Sequence, residues 1–295
     1  MQSLSASLVF PNPCDLGEGS LWDEASGLLY WVDICQNKVF AFDPTNRSNL
    51  AYDVGENVGT VVLTRNGKLL LALRSGFAWL DPDTGIVTKI ADPEAHRPDT
   101  RFNDGKCDPC GRFWAGTMIE RGRPATAALY CLDTNLCVSK KLDGVTISNG
   151  LVWTRDARQF FYIDTPTHQV QGYDFDPAGS EISNRRIVAE IPAANGAPDG
   201  MAIDEDDKLW VALFGGGKVV RIDPATGKTE FEVLLPAQNV TSCAFGGPGL
   251  LDLYITTARV GLSPEQLQAQ PLAGSLFRIK LPYRGVIANR FGRDF

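Results

Sequence analysis

The chain has 295 residues, of which 44% are hydrophobic and 21% charged, and it carries a net charge of −7 at neutral pH. That length and apolar content supply a large buried core. The acidic balance argues against a nucleic-acid surface, which needs an excess of Lys and Arg. No apolar run approaches the roughly 20 residues of a membrane span, so no membrane association is expected. The start, "MQSLSASLVFPNPC", lacks the basic head and long apolar stretch of a secretory signal, and its "SLVF" reads as a strand. Seven cysteines at 14, 35, 107, 110, 131, 137 and 243 are odd in number and scattered. They do not form a disulfide framework, and a cytoplasmic location is expected.

Taken in chain order, one unit recurs six times. A turn "DEASG" leads to "LYWVDI" from Leu29 and then "VFAFDP". "RNGK" leads to "LLLALR" from Leu69 and "FAWLDP", and "DPCG" to "FWAGTM" from Phe113 and "LYCLDT". "TRDAR" leads to "FFYIDT" from Phe160 and "VQGYDF", and "DEDDK" to "LWVALF" from Leu209 and "VVRIDP". The sixth unit has "LYITTA" from Leu253 and "LFRIKL", which keeps the pattern and loses the closing acid. Short runs rich in Val, Ile, Tyr, Phe and Trp between turn residues are strands. The best helical candidate, "SPEQLQAQ", is short. A period of about 40 to 50 residues with four strands per unit predicts an all-β, six-bladed β-propeller of antiparallel blades, one domain over 1–295. Either "SASLVF" or "GVIANRF" supplies the outer strand of the last blade, which removes an exposed edge.

In a propeller the first strand of each blade lines the central channel, and the residue just before it sits at one mouth. The six units place Glu18, Asn57, Asn103 with Asp104, Asn149, Asp199 and Ser242 there. Asn-Gly and Asp-Gly pairs are also ordinary turn dipeptides, but Glu18 is no turn former. Carboxylates gathered at one mouth from separate blades repel one another and lose hydration, so a cation is their natural partner. An oxygen-only donor set favours Ca²⁺, Mg²⁺ or Mn²⁺, with Zn²⁺ as a fourth candidate.

The motifs "LGEGSLWD", "RFNDGKCDPCGRFWAGTM", "ISNGLVWT", "PDGMAID" and "CAFGGPGLLDLYITTAR" resemble the regucalcin / gluconolactonase family of six-bladed propellers, from about Cys14 to Lys280. The resemblance implies one divalent metal at the channel mouth, held by Glu18, Asn149 and Asp199, and hydrolysis of sugar lactones. It implies that Arg101 and Asn103 contact substrate or water, that Glu120 meets sugar hydroxyls, and that Asp104 is a supporting acid beside the site. A lactone is an internal ester, so its hydrolysis needs a polarised carbonyl, an activated water and oxyanion stabilisation. The cation serves the first and last and acidifies a bound water, with Asp199 as the general base that takes its proton. Arg101 holds either the oxyanion or a hydroxyl. The expected reaction is gluconolactone or a pentonolactone opening to its aldonic acid. The rivals are an organophosphate or aryl-ester hydrolase and a non-catalytic calcium-binding or scaffold propeller, since fold does not fix function.

Two long loops, 119–127 and 258–274, face the same mouth as candidate lids. Arg74, Arg121, Arg123 and Arg259 fall in such loops as a basic rim, and His96 is a further lining candidate. His168 is expected to be solvated. The C-x-x-C of Cys107 and Cys110 has no second pair, no nearby His and no helix start, so it reads as two incidental thiols. "DEDDK" lacks the glycine and terminal glutamate of a calcium loop and reads as a solvated hairpin turn.

Overall fold

The structure, a computed structural model, describes residues 2–292; Met1 and residues 293–295 of the expected 1–295 domain lie outside it. It contains six sheets in a ring. Each starts at the channel with a strand buried throughout or at all but one residue: Gly17–Asp23, Val58–Leu63, Thr100–Cys107, Ser148–Trp153, Ala197–Ile203 and Asn239–Gly246. Neighbouring inner strands pack against one another all the way round, the sixth closing on the first. Burial falls outward, and the blade-one outer strand Ser48–Asp53 is mostly exposed. Trp31, Trp114 and Trp210 are fully buried among these layers.

The aspartate that ends the third run of five units has a local cause. Asp43, Asp81, Asp133, Asp176 and Asp223 each accept a hydrogen bond from a backbone N–H two residues on. This turn starts the outer strand. In blade six the third strand, Leu276–Lys280, makes no such turn, because its outer partner Ser7–Phe10 comes from the N-terminus. The missing acid of "LFRIKL" is therefore the mark of ring closure. One step earlier, Gln2–Ser5 adds as a fifth, parallel strand to the outer edge of blade five.

"GVIANRF" is not the closing strand. It crosses the channel end opposite the site, with Gly285 N–H donating to Leu250 O (2.9 Å), Asn289 Nδ2 to Cys107 O (3.2 Å) and Phe291 N–H to Leu63 O (2.8 Å). Arg290 pairs there with Asp23. A cavity of about 100 Å³ lies at this end, bounded by Val62, Val152, Ala202, Ala244 and Ile287. "SPEQLQAQ" does contain a helix, Pro264–Ala269, started by a reciprocal Ser263–Gln266 cap. Among the described residues no helix is long and apolar enough to cross a membrane.

Asp204 of "DEDDK" corrects an expectation. It does sit in a hairpin turn, but it is 1% exposed. It accepts from Trp210 Nε1 (2.9 Å), Arg221 Nε (2.7 Å) and the N–H groups of Asp206 and Lys208 (both 3.0 Å). Asp204 bolts the turn to its blade, while Glu205 and Asp206 stay exposed as expected. His168 is likewise half-buried, at a left-handed φ of 54°, with Nδ1 buried and unpartnered.

Candidate functional site

Every inner strand changes register at the same level: between Glu18 and Leu21, Val58 and Thr60, Phe102 and Gly105, Asn149 and Leu151, Pro198 and Met201, and Val240 and Ser242. A bulge of this kind re-aims a side chain. Glu18, Asn103, Asp104, Asn149 and Asp199 therefore lie within the inner strands, not just before them as the sequence suggested, and the bulges bring them together. Gly19, at φ 58°, lets the chain turn beside Glu18, whose Oε2 accepts from Gly19 N–H (3.0 Å).

The acids form the electrostatic centre. Glu18, Asp104 and Asp199 are 6%, 5% and 6% exposed. Burial, then the nearby Asp104, raises the Glu18 carboxyl to about 8. Burial, then Glu18 and Asp104, raises Asp199 well above the usual range, and Glu18 and Asp199 lie close enough to share a proton. Asp104 is raised by burial. Its Oδ1 accepts from Gly105 N–H (2.7 Å), while Oδ2 is buried with no partner. Lys106 is the nearest compensating ammonium and donates to Met201 O (2.8 Å). Among the described residues, no three His, Cys, Asp or Glu side chains form a metal-ligand cluster. The set expected from sequence is two carboxylates and an amide, and it fits a hard divalent cation. Three buried carboxyls, one with an orphaned oxygen, give the site a chemistry suited to a positive charge.

A directional hydrogen-bond chain runs round the mouth from this centre. Arg101 Nη1 donates to Asn103 Oδ1 (2.8 Å), and Asn103 Nδ2 donates to Asn149 Oδ1 (2.9 Å). Asn149 Nδ2 donates to Thr165 Oγ1 (2.7 Å), and Thr165 Oγ1 donates to Pro198 O (2.8 Å). Blades three, four and five are thus tied through the residues expected to bind. Outside this chain, Glu120 Oε1 lies 3.5 Å from Arg101 Nε, and its Oε2 pairs with Arg74 Nη1 at 2.6 Å.

Sequence reasoning missed several partners. Asp33 accepts from Asp15 and Leu16 N–H (2.9 and 3.2 Å), just before Glu18, and Asp164 accepts from Thr146 and Ile147 N–H (3.2 and 2.9 Å), just before Asn149. The signal was present in the matching ends "WVD" and "YID" of two second strands. Glu94 is buried and accepts from Thr100 Oγ1 and Tyr130 OH (2.5 and 2.9 Å), which anchors the segment before Arg101. Asn57 does not join the site, because its amide donates to Ile34 O and Asn37 Oδ1 (2.8 and 3.0 Å) and stitches blade one to blade two. Ser242 lies inside the channel, its Oγ 3.2 Å from Ser20 Oγ. His96, Arg121 and Arg123 are exposed. Cys107 is buried and Cys110 sits in the opposite turn, both without a disulfide. Burial pushes both thiols up, unlike a reactive thiolate.

Comparison with known proteins gives consistent relationships. The chain is 40% identical over 284 residues to regucalcin of Pongo abelii, covering 95% of each chain. It is 41% identical over 279 residues to "Putative sugar lactone lactonase YvrE" of Bacillus subtilis (strain 168), covering 95% of this chain and 96% of that one. A solved luciferin-regenerating enzyme superposes with a TM-score of 0.90 at 29% identity, over 97% of this chain and 99% of that one. A calcium-binding protein, regucalcin, from Agrobacterium tumefaciens str. C58 shares the fold, with a TM-score of 0.94 at 24% identity over 99% and 98% of the two chains. Residues 16–259, which carry the site from Glu18 to Asp199, match the family described as the SMP-30/Gluconolactonase/LRE-like region, and the chain belongs to that family.

Proposed function

We propose that the protein hydrolyses a sugar-acid lactone, gluconolactone or a pentonolactone, to its aldonic acid. The observation that carries this reading is the trio of buried acids Glu18, Asp104 and Asp199, beside amides and a guanidinium held in one hydrogen-bonded order. The sugar lactone lactonase named among the Bacillus subtilis relatives supports the substrate class, and the calcium-binding regucalcin supports a divalent ion.

Glu18, Asn149 and Asp199 would hold a divalent cation, Ca²⁺, Mg²⁺, Mn²⁺ or Zn²⁺, with Asp104 as a supporting acid. Such a cation, when bound, contributes the positive charge that polarises an ester carbonyl and acidifies water. Asp199 takes the proton of the attacking water as its oxygen bonds to the carbonyl carbon. The ring C–O bond then breaks, and the alkoxide takes a proton to become the new hydroxyl. One proton is released to solvent as the acid ionises. Arg101, buried and hydrogen-bonded to Asn103, offers its guanidinium to the oxyanion or to a hydroxyl. Glu120 accepts from sugar hydroxyls, and Arg74 keeps it in place. These polar groups suit a polyhydroxylated ring better than an aryl ester.

The test is acid release from a panel of sugar lactones by metal-stripped protein. Each cation is added back separately and spontaneous hydrolysis is subtracted. Turnover should return with a divalent ion and fall about 10²- to 10⁴-fold in Asp199→Asn. Measurable cation binding with no turnover on any lactone would overturn the enzyme reading in favour of a binding propeller.

A further inference from the structure

We propose that Thr165, which lies outside the expected donor set, is a positioning residue that fixes which end of the Asn149 amide faces the cation. The inference rests on Asn149 being a ligand, as proposed above. An asparagine offers a carbonyl oxygen on one side and an NH₂ on the other, and only its partners decide which points where. A Thr hydroxyl has a single proton. That of Thr165 goes to the carbonyl of Pro198 at 2.8 Å, an obligate acceptor. Towards Asn149 the Thr165 oxygen can therefore only accept, and it receives Nδ2 at 2.7 Å. The amide oxygen is left facing the other way.

The far end of the chain enforces the same sense. A guanidinium is an obligate donor, so Arg101 imposes Oδ1 of Asn103 on its own side and turns Nδ2 of Asn103 towards Oδ1 of Asn149. Donors thus run one way, from Arg101 through Asn103, Asn149 and Thr165 to Pro198. Asn149 Oδ1 accepts one of these hydrogen bonds and keeps a second lone pair for a hard cation. Pro198 directly precedes Asp199, so the same hydroxyl ties the amide ligand of blade four to the carboxylate ligand of blade five.

Thr165 is itself held firmly. Its N–H donates to Ile147 O at 3.1 Å, and the carboxylate of the preceding Asp164 grips Thr146 and Ile147 N–H. The pair Asp164–Thr165 therefore clamps the strand that carries Asn149 from its backbone and from its side chain. Asp33 repeats the backbone half of this clamp at Glu18. In blade one Ile34 follows the aspartate, so a hydroxyl stands only where the ligand is an amide whose orientation needs setting.

The experiment compares wild type with Thr165→Val, which keeps the shape and removes both side-chain hydrogen bonds, and Thr165→Ser, which keeps the hydroxyl. Ca²⁺, Mg²⁺, Mn²⁺ and Zn²⁺ are titrated calorimetrically into metal-stripped wild type, and the tightest is carried to the variants. Thr165→Val should weaken the cation about 10- to 100-fold, the range for loss of a group that orients a ligand. Thr165→Ser should restore affinity to within about threefold. At saturating cation, kcat on the lactone should recover most of its wild-type value, which separates lost affinity from damaged chemistry. Melting in chelator checks folding, and Thr165→Ala replaces Thr165→Val if the latter is unfolded. Wild-type affinity in the hydroxyl-free variant, or a serine variant as weak as it, overturns the inference alone. A wild type that binds no cation overturns it together with the proposed metal site. A wild type that binds but turns over no lactone sinks only the proposed reaction.

Discussion

Raising the pH of the cation-free protein should destabilise it, and a divalent cation should cancel the loss. Burial and Asp104 hold the Glu18 carboxyl at about 8, against 4.5 in an unperturbed glutamate. A carboxyl with a raised folded pKa binds its proton more tightly folded than unfolded. Its contribution to stability is therefore full below about pH 4.5 and is lost as the pH rises through about 8. A displacement of that size corresponds to roughly 5 kcal/mol. Glu18 in turn raises Asp199, so the two carboxyls titrate together. For a chain of this length the loss is roughly 5 to 10 °C of melting midpoint. The assay is thermal unfolding from pH 5 to 8.5 in EDTA and in Ca²⁺, for wild type and Glu18→Gln. The gap between the two midpoints should be small at pH 5 and open to at least that size above pH 8, while Glu18→Gln makes the EDTA curve shallower, the rest coming from Asp199 and Asp104. A gap constant across the range, or one that narrows as pH rises, refutes the reasoning.

Two further perturbations test how the blades support the site. In Gly59→Ala a Cβ would stand 2.2 Å from Asn103 O and 2.7 Å from Phe102 O, both backbone atoms, so blades two and three must part. A cost of about 1 to 3 kcal/mol is expected from such overpacking, together with a roughly tenfold loss of lactone turnover as Asn103 moves; wild-type kinetics would contradict the packing argument. Asp204→Ala leaves the buried guanidinium of Arg221 and the indole N–H of Trp210 without their shared acceptor. It should cost about 3 to 5 kcal/mol by thermal denaturation, with turnover at low temperature preserved; a midpoint within 2 °C of wild type would show that Glu230 and Asp206 suffice for Arg221.

What was legible in the chain was whatever repeats or turns locally. The closing aspartates of five units make hydrogen bonds spanning two residues, so both their presence and the sixth unit's lack of one are sequence features. Glu18 stood out because its residue type does not suit a turn. The parallel addition of Gln2–Ser5 to Lys228–Leu234 was not legible, since four exposed residues carry no face pattern and their partner is remote in sequence. Nor was the use of Asn57 readable: its "NVG" resembles the other mouth motifs, and only the neighbouring blade's Ile34 and Asn37 decide its role. The bulges were hidden for a similar reason, because a register shift belongs to a pair of strands and not to either one. Thr165 escaped notice as one threonine in a loop-like "DTPT", although its hydroxyl meets two other segments.

The strand that completes blade six also sets a timetable for synthesis. Ser7–Phe10 leaves the ribosome long before Leu276–Lys280, the strand it pairs with. Ser7 Oγ bonds to Arg278 O, 271 residues later. At about 5 to 20 residues per second, the N-terminal strand waits roughly 15 to 50 s for the sheet it belongs to. Gln2–Ser5 waits nearly as long for Lys228–Leu234. The four antiparallel strands of blades one to five can each assemble from contiguous chain as they emerge, but the ring cannot shut until Leu276–Lys280 is made. Throughout that interval Leu4, Leu8 and Val9 lack the strands they pair with, although Val9 O can already accept from Arg47 of blade one, and the unpaired edge is open to a chaperone or to another nascent copy.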